Sequence, residues 1–357
     1  MVLAAMVVPS IGTAADWLTG LKITIGVSPV YDDNILRYSD KYITRFDNRQ
    51  DEGRFHISTR DDLILVNTLR GAATLNVFGS LATTVSLDAR RRTYTHNAVK
   101  NWSSFNAGVR QELSRRLSVQ AAYAWIPAFY VRHYRDDDWV EEFGYVPASF
   151  QPFAFTKDET GGSVFYTPFA GTRVRGGVSS MRYFYNEHFT EYNCRNTLLG
   201  CSLTQSVGRK IRLTAGFEAV FSRGDGNGTM DPSFDENSFS LGGAFDLPAL
   251  FGMSHSMGLD GEYARRCYGT KHPWELDQNH AGRQDHDYRL NITWAIDLFT
   301  NCDVEISWAW HRRDTETSAT QNAEYLSAEK DYRQHQVAME IRYTFDLLSS
   351  ETSERKR

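Results

Sequence analysis

"QVAMEIRYTF", residues 336–345, changes character at every step. Val337, Met339, Ile341, Tyr343 and Phe345 are apolar, while Gln336, Ala338, Glu340, Arg342 and Thr344 between them are polar or small. A period of two belongs to a β-strand with unlike faces. The pattern recurs in "YRLNITWAIDL" (288–298), "CDVEISWAWH" (302–311), "IRLTAGFEAVF" (211–221) and "LKITIGVSPVY" (21–31). One amphipathic strand is therefore a member of a set, and the question is which solvent meets its greasy face.

Composition narrows the answer. The chain has 357 residues, a formal net charge of -5, 13% aromatic and 23% charged residues, and a mean hydropathy of -0.46. A soluble core rich in rings usually brings Leu, Ile and Val runs, and such runs are scarce. No stretch approaches the roughly 20 apolar residues of a membrane-spanning helix. The mild acidity and the lack of a basic run argue against nucleic acid as partner. The opening "MVLAAMVVPSIGTAADW" reads as a signal peptide over 1–15, truncated because no basic residue precedes Lys22. A short buried segment is the competing reading. Residues 16–345 are expected to form one domain and 346–357 a polar periplasmic tail.

Connector lengths alternate. Short ones fall at "GSLA" (79–82), "SRR" (114–116), "PFAG" (168–171), "GRK" (208–210), "LPALFG" (247–252) and "FTN" (299–301). Longer polar ones fall at 34–63, 135–151, 188–195, 224–235, 269–283 and 316–328, with a brief one near 97–100. This layout predicts an all-β fold, an antiparallel up-and-down transmembrane barrel of about 14 strands, 12 or 16 being allowed because 54–78 and 153–167 divide poorly. A soluble antiparallel sandwich also alternates. Against it stand charged residues at mid-strand and recurring strands of bilayer length. Aromatics also gather at segment ends: Trp17, Phe78, Phe169, Phe251, Phe299 and Phe345 on the turn side; Tyr94, Tyr130, Tyr134, Tyr268, Tyr288 and Trp310 toward the loops. In hydrocarbon an unpaired backbone amide is costly, so the last strand must pair with the first.

The segment "GVSPVYDDNILR" (26–37) resembles the opening of several Gram-negative porin families, among them barrels encoded beside exopolysaccharide genes, in which a strand ends in Tyr-Asp-x-Asn. Surface-lipoprotein assembly barrels are similar in layout. The strand ending at Phe345 resembles the C-terminal signal read by the outer-membrane assembly machinery, although a polar tail follows it here. The helical-repeat domain that many assembly barrels carry is absent from this sequence. The resemblance implies an integral outer-membrane protein with the lipid bilayer and that machinery as partners, and a saccharide or a surface or periplasmic protein beyond them.

Taking the parity opposite each greasy face as inward gives an uneven lumen. The early strands supply Arg70, Arg90, Arg92, Arg110 and Arg132, with Asp88 and Glu112 as local partners. The late strands supply Asp260, Glu262, Asp287, Asp297, Asp303, Glu305 and Glu340, diluted by Arg266, Arg289 and Arg342. A basic wall facing an acidic one would orient polar solutes and filter ions. A salt-bridge network filling the lumen is the alternative. Arg residues beside rings (Arg90, Arg92 and Tyr94; Tyr130, Arg132 and Tyr134; Arg182, Tyr183 and Tyr185) suit a path for acidic sugars or simply a mouth with its girdle.

Other constellations are weaker. Asp32 and Asp33, Asp61 and Asp62, and Asp136 to Asp138 lack the spacing of a calcium loop. "QDHD" (Asp285, His286, Asp287) lacks the second motif of an outer-membrane protease, and "THN" (Thr95, His96, Asn97) lacks a serine context, so neither catalysis nor a cofactor is expected. No histidines have zinc spacing. Cys194 and Cys201 flank "RNTLLG" in an expected loop and form the candidate disulfide, with Cys267 and Cys302 left unpaired. The expected function is a porin-like channel for polar, including anionic, saccharide-like solutes or for polysaccharide export. The alternative is a non-conducting barrel that anchors or assembles a surface component through its loops.

Overall fold

The computed structural model describes residues 17–348 except Glu52, Ser80, Asp137, Asp138, Glu142, Phe143 and Phe251. The expected signal peptide and residues 349–357 of the expected tail lie outside that set. The first half of the chain supplies β1 (Leu18–Asp32), β2 (Asp62–Phe78), β3 (Leu81–Tyr94), β4 (Trp102–Ser114), β5 (Leu117–Arg135), β6 (Phe150–Tyr166) and β7 (Thr172–Tyr185). The second supplies β8 (Cys194–Val207), β9 (Ile211–Gly224), β10 (Phe234–Leu250), β11 (Met253–Tyr268), β12 (Arg283–Phe299), β13 (Cys302–Thr317) and β14 (Tyr332–Leu348). Each strand pairs antiparallel with its chain neighbours, and β14 pairs with β1, for example Thr24 with Thr344 and Gly26 with Arg342, closing a 14-stranded barrel.

Closure satisfies the backbone, and alternation decides the faces. Residues opposite one another in a ladder share a face, so one inward residue fixes the parity of every strand around the ring. On β14 the even positions face inward and Val337, Met339, Ile341, Tyr343 and Phe345 face outward, each well exposed. Leu241 is 71% and Leu87 62% exposed on the same outer surface. A continuous apolar exterior of this kind fits hydrocarbon and not water. The structure is a transmembrane antiparallel β-barrel.

Two-residue turns between such strands need left-handed backbone, met by Asn301 at φ 69°. Gly208 at φ 65° supplies left-handed backbone in the three-residue turn between β8 and β9. β14 runs past Phe345 to Leu348, because Leu21 and Lys22 of β1 still offer partners to Leu348 and Asp346. "LPALFG" is mostly strand, with β10 reaching Leu250.

The cysteine expectation is overturned. Cys194 and Cys201 both lie on β8, seven residues apart along an extended strand, and both are free. At roughly 3.3 Å per residue their Cα atoms are about 23 Å apart, far beyond the roughly 4.4–6.8 Å a disulfide spans. They also face opposite sides, Cys194 inward and Cys201 outward.

The long connectors do not simply stand off the rim. The β1–β2 connector carries helix α1 (Asp40–Asp47), and the β13–β14 connector carries helix α2 (Ala323–Lys330). Ile35, Leu36, Tyr38 and Tyr42 of the first pack against Val30, Ile64, Val66, Tyr94 and Tyr130 of the wall. This is an apolar core inside the barrel at its loop end. The expected loop-side girdle is corrected accordingly. Tyr94 and Tyr130 are buried in this core, and Tyr134 and Tyr268 face inward, leaving Tyr288 and Trp310 on the outside.

Candidate functional site

The site is the lumen, and its two halves differ. On the turn side a cavity of about 470 Å³ is bounded by Gly108, Gly161, Gly177, Gly200 and Gly216 with serines such as Ser163 between them. Side chains that stop at or near Cβ leave the bore wide where the strands β4 to β10 face it. On the loop side the bore meets the folded-in connectors.

Those connectors are pinned to the wall and to each other. The Asn34 side chain donates to the carbonyls of Tyr38 and Arg333, both at 2.9 Å, and Arg37 Nε donates to Gln334 at 3.2 Å. Glu329 on α2 accepts from Lys41 and from the Tyr42 hydroxyl on α1. Leu326 of α2 is fully buried. Arg132 donates to the Leu36 carbonyl at 2.7 Å and lies 5.0 Å from the Tyr38 ring centre.

Between α2 and the wall of β5 to β13 lies a cavity of about 270 Å³. Arg37, Arg132, Arg266, Arg283, Arg313 and Lys330 contribute its cations, and Tyr134, Tyr185, Tyr192, Tyr268 and Tyr332 its rings. Arg266 pairs with Glu236 at 2.8 Å, Arg283 with Asp285 at 2.7 Å and Arg313 with Asp287 at 2.8 Å. Lys330 faces the Tyr134 ring at 5.7 Å and makes no ion pair among the described residues. Burial, with Arg283 and Arg132 adding to it, pushes its amine down to about 7. Lys100, in the 95–101 connector, is also pushed down to about 7 by burial and donates to the Tyr130 carbonyl at 3.0 Å. The cavity can hold a planar or ring-shaped anion between aromatic faces and guanidinium groups.

The register places all the expected lumen residues on the inward face. Arg70 sits opposite Asp88, Arg92 opposite Trp102, Arg110 opposite Gln120, Glu262 opposite Arg289 and Glu305 opposite Glu340. Their partners divide the two walls in an unexpected way. The acidic wall is largely compensated: Glu262 takes Arg289, Asp287 takes Arg313 and His311, and Asp303, Glu305 and Glu340 share Arg342. Asp260 makes no ion pair among the described residues. On the basic wall only Arg70 has a carboxylate among the described residues, Asp88 at 2.7 Å. Arg90 and Arg92 leave Nε buried without an acceptor, and Arg110 donates to Ser118 at 3.0 Å. Of the expected lumen residues, Arg90, Arg92, Arg110, Arg132 and Glu112 on the early strands and Asp260 and Asp297 on the late ones are therefore without an ion pair among the described residues.

Several suggested groupings come apart. Arg182 faces outward while Tyr183 and Tyr185 face inward. Asp285 and Asp287 point inward and His286 outward, so "QDHD" forms no side-by-side Asp–His pair. Asp32 accepts from Gln334 and Gln336, and Asp62 from Thr95 and Asn97, which ties both into loop scaffolding. Among the described residues no metal-binding cluster forms. Arg37 and Lys330 escaped notice because they sit on connectors, and Arg283, the first residue of β12, because the spacing assigns it to the 269–283 connector. The apolar residues of "NILRYSDKYITRF" (34–46) were the available signal that this connector turns inward.

No protein-family model and no curated protein matches the chain. Solved structures similar to it include a bacterial polysaccharide outer membrane secretin (8% identity, 92% of this chain and 99% of that one, TM-score 0.48). The outer membrane channel DcaP of Acinetobacter baumannii is another (11% identity, 92% and 97%, TM-score 0.48). A third is an anion-selective porin from Comamonas acidovorans (10% identity, 91% and 98%, TM-score 0.42). The membrane assignment rests on the barrel's own outer face.

Proposed function

We propose that this protein is an outer-membrane channel, porin-like, for polar solutes that carry negative charge, acidic saccharides included, with the folded-in connectors as its constriction. The observation that carries the reading is the basic wall of Arg90, Arg92 and Arg110, which has no carboxylate partner among the described residues and shares the lumen with the cationic and aromatic cavity. Guanidinium groups in a confined bore attract carboxylates and repel cations. Rings beside them offer faces for sugar stacking.

Planar-bilayer recording of the folded barrel tests this. Single-channel current with anion preference supports the reading, and a folded barrel without current sinks it. The packed core of Ile35, Tyr38 and Tyr42 inside the loop end favours the second reading, a non-conducting barrel that anchors or assembles a surface component through its loops. Absence of current from both the intact barrel and one lacking residues 35–58 would favour that alternative.

A further inference from the structure

The outer wall carries a charge asymmetry that conduction does not use. On β7, β8 and β9 the outward residues nearest the loops include Arg182, Arg195 and Arg223. Arg182 is directly opposite Arg195, and Arg195 directly opposite Arg223. All three are exposed. Directly opposed side chains start from Cβ atoms about 5 Å apart, and like charges in that position are destabilising. Arg182 is bonded to Asp158 on one flank at 2.7 Å, and Arg223 to Asp235 on the other at 2.8 Å. Arg195 in the middle has no carboxylate among the described residues. Three cations thus face two carboxylates, with the unpaired one at the centre.

The position of this row matters as much as its charge. Turnward of the row, past Ser180 and Thr197, the outward positions include Val178, Leu199, Leu203 and Phe221, the lipid-facing band itself. Arg91, Arg265, Arg312 and Arg333 continue the basic ring on other strands, also on the outward face near the loops. Arg91 donates to Ser103, Arg265 to Gln284, and Arg312 to Asp314. On the turn side of this ring, no Asp, Glu, Lys or Arg among the described strand residues faces outward. The two edges of the apolar band therefore meet different headgroup chemistry.

We infer that the Arg182–Arg195–Arg223 row is a binding site for the phosphate groups of an anionic glycolipid in the leaflet on the loop side. A phosphate seated on Arg195 would be bridged by the flanking guanidiniums and would relieve the repulsion within the row, while its acyl chains lie along Leu199, Leu203 and Phe221. Charge-assisted, forked contacts of this type are the strong class of hydrogen bond. The inference rests on the membrane reading alone. A barrel that passes no current can still hold lipid, so failure of either test leaves the other standing.

The test is native mass spectrometry of the full barrel in zwitterionic detergent, with diphosphorylated lipid A, its dephosphorylated counterpart, and inorganic phosphate as probes. The wild type should retain the diphosphorylated lipid at least about tenfold more tightly than the dephosphorylated one, with inorganic phosphate binding negligibly. Arg195→Gln should lose most of that difference, whereas Arg195→Lys should keep part of it. Asp235→Asn, which frees Arg223 without touching the row, should tighten binding. Equal retention of the two lipids, an Arg195→Gln barrel that binds as the wild type does, or saturation by inorganic phosphate alone would overturn the assignment.

Discussion

Arg342 on β14 donates through Nε to Asp303 on β13 at 2.7 Å, and the same guanidinium reaches Glu305 at 3.2 Å and Glu340 at 3.3 Å. One cation thus holds three carboxylates on the inner face of the strand pair. Replacing it, as in Arg342→Met, leaves the three to repel one another. The groups are partly hydrated, so the loss should be about 1–2 kcal/mol and not the larger figure for a fully buried pair. Urea unfolding of the barrel in lipid vesicles measures it, and a conducting barrel should shift toward cations.

The basic wall makes the opposite prediction. Arg90→Gln combined with Arg92→Gln removes two cations that have no carboxylate to strand. Anion preference should fall several-fold in reversal-potential measurements while stability changes little, because no ion pair is broken.

Glu329 joins α2 to α1 through Lys41 and Tyr42. Glu329→Ala should loosen the loop-end core without touching the strands. The expected result is a higher or noisier single-channel conductance with unchanged strand content by circular dichroism. The same conductance as the wild type would show that this contact does not restrain the bore.

The cavity lysine sets a pH dependence. In the unfolded chain Lys330 keeps its proton up to about pH 10.4, whereas in the fold burial holds it down to about 7. Between these values the unfolded chain binds more protons, so the stability of the folded loop end rises with pH across that window and is lowest below about 7. Lys330→Met should flatten this rise by about half, because Lys100 is displaced to about 7 as well. Hydrogen exchange of residues 323–330 as a function of pH provides the measurement.

Cys201 faces outward and exposed, and Cys194 is half-buried facing the lumen. A lipid-soluble maleimide should label Cys201 in the folded barrel without prior reduction. Adding a reductant should leave the number of labelled thiols unchanged. A gain on reduction would contradict the placement of both residues on β8.

The barrel was legible in the chain because lipid and water impose opposite demands on neighbouring residues, and the stretches 288–298, 302–310 and 336–345 of β12, β13 and β14 obey them throughout. Strands facing the wide half of the bore were harder to read. On β6, Gly161 and Gly162 take opposite faces with no side chain to reveal which. On β8, Leu198 turns inward and Leu199 outward, so "RNTLLG" looked like a loop and its cysteines like a staple. Inward parity of the arginines could be counted, but their partners could not, since pairing depends on which strands lie side by side and how far each is staggered. The spacing assigns 34–63 to the longer polar connectors, although Ile35, Leu36 and Tyr38 within it have no reason to be hydrophobic in open solvent.

The hydrogen bond from Asn34 to the Arg333 carbonyl joins residues 299 positions apart, and Arg37 reaches Gln334 across a similar span. Both bonds cross the seam where the first strand meets the last. Contacts of such separation form late, after the entropy of closing the intervening chain has been lost. The connector can pack against the first strands before the sheet closes, but its bonds to β14 cannot form until the last strand arrives. Closing the wall and fixing the constriction across the seam are therefore one event.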